Sequence, residues 1–265
     1  MTSEVKEPGP RSSGGVQSLD RAFVILEAMA DAGGVIGLSQ LAENTRLPLA
    51  TTYRLVRTLV DLDYVRQTAS RQYSLGPRLM RLADASSKRI ATWAKPAMRT
   101  AVAQLEESIN LAVLDGDEIV YVAQVPPSAN SMRMFTEVGR RTFPHSTAVG
   151  KAILAYRPEA EVSALLARAG MPRHTEHTLT EPREFLASLE ETRARGYATD
   201  EGEQELGVRC VAVVVPGAPQ PMALSMSGPL TRMSDDVVRR AVPVLHAAAA
   251  EISAELDRAG DRAGA

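Results

Sequence analysis

The 265-residue chain has one cysteine, Cys210. A lone thiol cannot close an intrachain disulfide, so the fold rests on packing, and this usage fits a reducing cytoplasm. Aromatic residues are 4% of the chain, which leaves the core to Ala, Val, Leu, Ile and Met. No run of about 18 apolar residues occurs, so no membrane span is expected. The opening MTSEVKEPGPRSSGG lacks the apolar stretch of a secretory signal and reads as a disordered arm, residues 1–15. There is no global excess of positive charge: the net charge is −2 and the pI is near 6.1. A nucleic-acid partner must therefore be argued from a local cluster. Also missing are a Gly-rich phosphate loop, a nucleophile elbow and a CxxC pair. His174-x-x-His177 has no second pair at ligand spacing and reads as a surface loop. A hydrolase built from Cys210, His145 and Asp200 has no motif behind it. An enzyme, a metal and a cofactor are all unexpected.

What is present suffices for roughly two domains, at 45% hydrophobic and 23% charged residues. Residues 18–30 carry Leu19, Ala22, Phe23, Leu26 and Met29 at helical spacing, and Gly33-Gly34 supply a stop. Ser39 can cap a short helix reaching Thr45. After the break Arg46-Leu47-Pro48, Pro48 opens a second helix to about Asp63. Residues 64–75 read as a hairpin with the polar tip Thr68-Ala69-Ser70-Arg71. Gly76-Pro77 leads into a connector helix, residues 77–90, and another helix reaches about Glu107.

From Asn110 the period changes to that of strands. LAVL and EIVYVAQV form a hairpin about Asp115-Gly116, and Met132-Arg133-Met134 reads as a further strand. Helices are expected at about 146–155, 158–169 and 182–195, strands at about 207–215 and 221–227, and a last helix at 234–257 before a frayed tail, residues 258–265. This interleaving predicts an α+β chain: a winged helix-turn-helix over residues 16–76, then an antiparallel-sheet domain over residues 91–257.

In the helix over residues 49–62, Thr52, Leu55, Val56, Leu59 and Leu62 make the stripe expected to be buried. Ala50, Tyr53, Arg54 and Arg57 face the other way, with Thr51 at the entry turn. Thr51, Thr52 and Tyr53 can donate to phosphates, and Arg54 or Arg57 can reach a phosphate or a guanine edge. Residues 46–81 hold seven arginines against two aspartates. Arg71, at the hairpin tip, can enter a minor groove or touch backbone. A plain solvated face would explain the charges alone, but not their union with helix, turn, helix and wing.

VQSLDRAFVILEAMA, LSQLAENTRLPLATTYRLVRTLVDLDYV, YSLGPRLMRLA, PHSTAVGKAILA, RGYATDEGEQELGVRCVAVVV and ALSMSGPLTRM stand in order along nearly the whole chain. In this set the sequence resembles the IclR family of bacterial transcriptional regulators. The resemblance implies a winged helix-turn-helix, a linker helix and a GAF-like effector domain. The partners it implies are palindromic double-stranded operator DNA, a small carboxylate effector, and a second copy in a dimer, with tetramers in some relatives. Most relatives are repressors released by a small organic acid, and some activate, here with an aromatic-acid or other carboxylate operon as the alternative. Many relatives carry a basic residue or Ser just after the Pro that opens the recognition helix, where this chain has Leu49 and Ala50.

The effector site is expected where His145-Ser-Thr-Ala-Val-Gly-Lys151 starts a helix, since free N–H groups and the dipole there favour an anion. The resemblance implies that the amides of Ala148 and Val149 hold a carboxylate and that Asp200 and Cys210 lie in the same pocket. Ser225 and Ser227 stand two apart on a strand, hence on one face, and would complete the cradle. Met134 and Phe143, with Met132, would supply apolar walls. Plainer readings stay open: edge polarity for the serines, a small core residue for Cys210, and a solvated acidic loop for Asp200. The Asp, Cys and paired Ser resemble the sites of glyoxylate- and allantoin-type sensors, which implies a small 2-oxo or hydroxy acid or a ureide-pathway metabolite.

Overall fold

Gly33 and Gly34, both at positive φ, end the first helix, α1 (Gln17–Asp31). The Gly34 N–H reaches back to the Met29 carbonyl at 2.8 Å, satisfying an acceptor that the helix end would orphan. The same device recurs twice. Arg46 in the left-handed region closes α2 (Leu38–Thr45), and Asp63 turns the chain after α3 (Leu49–Asp61). Gly37 and not Ser39 occupies the N-cap of α2, and no side chain caps it. Ser39 falls one residue inside the helix because Leu38 begins it.

The computed structural model describes residues 16–127 and 137–263. The expected arm at residues 1–15 and the strand at Met132–Met134 lie outside them. The chain divides into two units, residues 1–86 and 87–265.

In the first unit α1, α2 and α3 close over Ile25, Met29, Leu41, Val56 and Leu59. Strands β2 (Val65–Gln67) and β3 (Tyr73–Leu75) make the wing hairpin. A third strand, β1 (Val35–Ile36), pairs with β3, giving the order β1-β3-β2. The helices α4 (Arg78–Trp93) and α5 (Lys95–Leu105) break at Ala94 rather than near residue 90. Pro96, at the second position of α5, has no N–H with which to continue the bonding of α4.

The second unit is a six-stranded antiparallel sheet in the order β6-β5-β4-β9-β8-β7. Its strands are β4 (Ser108–Asp115), β5 (Glu118–Val125), β6 (Arg141–Thr142), β7 (Ala198–Glu201), β8 (Val208–Val214) and β9 (Met222–Pro229). Asp115 pairs with Glu118, so the β4–β5 turn is Gly116-Asp117 and not Asp115-Gly116. Gly116 takes the positive φ that the first position of a primed turn demands.

Strand parity sorts the sheet into two faces. Val211, Val213, Leu224 and Met226 pack with α5 and α9 (Asp235–Ala263) in the larger core. Val208, Cys210, Ala212 and Ala223 face α6 (Ala148–Leu154). Beyond α6, the helices α7 (Glu159–Ala169) and α8 (Pro182–Arg195) bury Phe185, Leu165 and Leu189. The face toward α6 carries the smaller side chains, so it leaves room the other face does not. α9 continues through Ala263, past the end expected at residue 257. The result is an α+β fold: a helix-turn-helix unit with a wing, and an antiparallel sheet with helices on both faces.

Candidate DNA-binding surface and effector cavity

The outer face of α3 carries Ala50, Tyr53, Arg54 and Arg57, all exposed, with Thr51 half-buried at its start. The Arg57 guanidinium donates to the Tyr53 hydroxyl at 3.3 Å, one helical turn back. These positions share a side because they sit three and four residues apart. Arg71 is exposed at the wing turn, where its left-handed backbone lets its N–H bond the Thr68 carbonyl at 3.0 Å. Arg78 is committed locally: it donates to the Leu62 carbonyl at 3.0 Å and lies over the Tyr64 ring.

Two expectations for α3 need correction. Thr52 is fully buried and its hydroxyl donates to the Pro48 carbonyl at 3.2 Å, so it serves the core and cannot reach a phosphate. Leu62 is exposed, because α3 ends at Asp61 and the stripe ends with it.

In the second unit a small cavity lies between the sheet and the start of α6. Ala148, Val149, Asp200, Cys210, Ser225 and Ser227 all line it. Register explains the meeting. Asp200 pairs with Cys210 and Cys210 with Ser227, so the three stand abreast on β7, β8 and β9. Ser225 follows two residues away on the same face. Beside them on β4, paired with Ser225, the buried Asn110 donates to the Ser227 hydroxyl at 3.1 Å and accepts from Gln124 at 3.0 Å.

Ala148 and Val149 are the first two residues of α6, where backbone N–H groups have no acceptor within the helix. The Thr147 side chain caps the helix by accepting from the Gly150 N–H at 3.2 Å. Gly150 does not line the cavity. A Cβ there would sit 2.1 Å from the Pro144 carbonyl oxygen, so glycine is needed for α6 to lie against the one-turn 3-10 helix Pro144–Ser146.

Burial, and then the nearby Glu203 carboxylate, push the Asp200 carboxyl up from 3.8 to about 7, against the pull of the Glu203 N–H and the Lys151 ammonium. Near neutral pH Asp200 can thus serve as acceptor or, protonated, as donor. Burial first, and then Asp200, push the Cys210 thiol upward, so it stays a neutral thiol and lacks the thiolate that covalent chemistry needs. The Tyr121 phenol is raised by burial and remains a hydroxyl. Among the described residues no cluster of three or more His, Cys, Asp or Glu could hold a metal ion, and no helix is long and apolar enough to cross a membrane.

Phe143 does not line the cavity. Its ring packs against His145 and His174, each at 5.8 Å between centroids, because the 3-10 turn carries it away from the sheet. Met134 lies outside the described residues. The structure adds Tyr121, Thr147, Gln204, Glu205 and Val208 to the lining. Thr147 could have been found from its place before the small-residue run of the helix start. Gln204 and Glu205 could not, since DEGEQE reads as a solvated acidic loop. That loop instead folds inward, with the Glu203 N–H donating to Asp200 Oδ1 at 2.7 Å.

Comparison with known proteins adds to this geometry. The sequence description of the IclR helix-turn-helix domain matches residues 18–69, and that of the bacterial transcriptional regulator IclR C-terminal domain matches residues 83–254. Over 252 residues the chain is 35% identical to the HTH-type transcriptional regulator KdgR of Dickeya chrysanthemi, covering 91% of this chain and 80% of that one. It is 33% identical over 249 residues to the transcriptional repressor IclR of Escherichia coli, covering 91% and 90%. The crystal structure of the Thermotoga maritima IclR superposes with a TM-score of 0.73 at 29% identity, covering 90% of this chain and 98% of that one.

Proposed function

Since the chain belongs to the IclR family of bacterial transcriptional regulators, we propose that it is a cytoplasmic repressor whose hold on palindromic operator DNA is loosened by a small carboxylate in the cavity of the second unit. One observation carries the effector reading. Six residues from three separate stretches of sequence, 148–149, 200–210 and 225–227, converge on one cavity. The Ser225 and Ser227 hydroxyls and the α6 amides suit the carboxylate, and Asp200 suits a second polar group.

Ala50, Thr51, Tyr53, Arg54 and Arg57 carry the DNA contacts from α3, with Arg71 reaching from the wing. Val16, Leu19 and Phe23 are exposed at the start of α1, and an apolar face of that size supports pairing of two such units. A dimer places two recognition helices on the half-sites of a palindrome. The effector changes DNA affinity by the difference in its own affinity for the free and DNA-bound forms.

The test combines two measurements on the full chain. A thermal-shift screen of small carboxylates and ureides finds a ligand, since binding to the native state raises its stability. A mobility-shift assay on DNA flanking the protein's own gene then follows release. Arg54→Ala should lose DNA binding and keep the ligand shift. Ser225→Ala should keep DNA binding and lose ligand release. Normal release of Ser225→Ala would move the effector site elsewhere.

A further inference from the structure

We propose that Gln204 is a specificity-determining residue of the cavity: Thr142 and Ser146 hold its carboxamide oxygen, which turns its NH2 group toward the ligand as a donor to an oxygen substituent of the bound acid. The proposal rests on the cavity being the effector site.

The Gln204 side chain reaches the cavity from the loop after β7. Its Oε1 accepts from the Thr142 hydroxyl at 2.8 Å and from the Ser146 hydroxyl at 2.7 Å. Both hydroxyl residues are themselves buried, Thr142 on β6 and Ser146 in the 3-10 turn. The single Ser146 proton is shared between Gln204 Oε1 and the Phe143 carbonyl at 3.2 Å, so the Thr142 hydroxyl is the full donor to the carboxamide oxygen. The orientation of the amide is thereby set, and its nitrogen is left with two donors that no hydrogen bond among the described residues uses.

The rest of the described lining shows why this donor matters. Asp200 and Glu205 offer carboxyl oxygens, Ser225 and Ser227 hydroxyls. Gln204 supplies the only side-chain nitrogen among those residues. A ligand oxygen beyond the carboxylate, whether oxo, hydroxyl or ureido carbonyl, can accept from it. An unsubstituted alkanoate puts carbon there and leaves a polar N–H facing it. Sites built to bond a substituent reject the analogue that lacks it.

Gln204→Glu separates this role from a structural one. Glutamate keeps one oxygen for Thr142 and Ser146 and replaces the donor with an acceptor at nearly the same size. The full-length wild type, Gln204→Glu, Gln204→Met and Ser225→Ala are titrated at pH 8 with 2-oxopropanoate, 2-hydroxypropanoate and propanoate. The wild type should bind the oxygenated acids roughly tenfold or more tightly than propanoate. Gln204→Glu should lose that preference while its ligand-free melting temperature stays near wild type. Gln204→Met, neutral and of similar length, should lose it too, which keeps the test alive if the added charge unfolds the first variant. If both Gln204 variants keep the preference while Ser225→Ala abolishes binding, the cavity reading stands and the role given to Gln204 is overturned. If the wild type binds none of the three, or binds the oxygenated acids no more tightly than propanoate, the role given to Gln204 is overturned.

Discussion

Lys151, from α6, makes a buried ion pair with Glu203, from the loop after β7, their side chains only 5% and 8% exposed. The ammonium also donates to the Thr199 carbonyl at 3.1 Å, which ties α6 to the edge strand. Glu203 Oε2 has no hydrogen-bond partner among the described residues, so the pairing oxygen and the ammonium carry the compensation for a buried charge. Removing one partner of such a pair costs about 3–5 kcal/mol, because the other stays buried and unpaired. Lys151→Met should therefore lose roughly that much in a urea titration. Lys151→Met/Glu203→Leu should recover most of the loss, since replacing both charges by apolar groups is close to neutral. A single variant as stable as the wild type would mean that water reaches Glu203.

Asp200 and His145 set opposite dependences of stability on pH. The Asp200 carboxyl rises from 3.8 to about 7 on folding, through burial and the like charge of Glu203, with Lys151 opposing. The native state then holds more protons than the unfolded one, so this contribution is full below 3.8 and is lost as pH rises through about 7. His145 is driven from 6.5 down to about 4, mainly by burial, against its bond to the Pro172 carbonyl. Its contribution is full above 6.5 and is lost as pH falls through about 4. Across the shared window the two slopes cancel. Asp200→Asn, which still accepts from the Glu203 N–H, should show stability rising with pH there, and His145→Gln should show it falling. Denaturant midpoints at several pH values read both. Parallel curves for the two variants would sink the assignment. Since Asp200 ionises through about 7 and adds a negative charge to the cavity, an anionic ligand should bind with proton uptake and more weakly as pH rises past 7.

Much of this was legible in the sequence where one interaction dominates locally. The alternation of β8 and β9 fixed which residues share a face, so Ser225 and Ser227 could be assigned together and Cys210 placed on a strand. The glycines after α1 marked its end correctly. The two-residue strands β1 and β6 are too short to show a period, and their pairing partners decide them. β7 was hidden because Ala-Thr-Asp-Glu has poor strand propensity. It pairs only because β8 offers its free edge. The orientation of Gln204 depends on hydroxyls 62 and 58 residues away, which no local pattern encodes.

Thr52 is the position where residue type and periodicity disagreed, and periodicity prevailed. Its type invites a phosphate contact, but its place beside Val56 and Leu59 puts it in the core, with its hydroxyl paired to the Pro48 carbonyl. Thr52→Val keeps the shape and removes that bond, so it should cost about 1 kcal/mol of stability. Operator affinity should change less than about twofold, well under 1 kcal/mol. Arg57→Ala acts the other way: on an exposed face it should leave stability nearly unchanged and weaken binding. If its contact is to a phosphate, the slope of log affinity against log salt should fall by about one. Fluorescence anisotropy on an operator fragment across a salt series, beside urea titrations of both variants, separates the two. Loss of DNA binding by a stably folded Thr52→Val would show that the hydroxyl leaves the core to meet the duplex, and the division of α3 into a packed and a DNA-facing side would have to be redrawn.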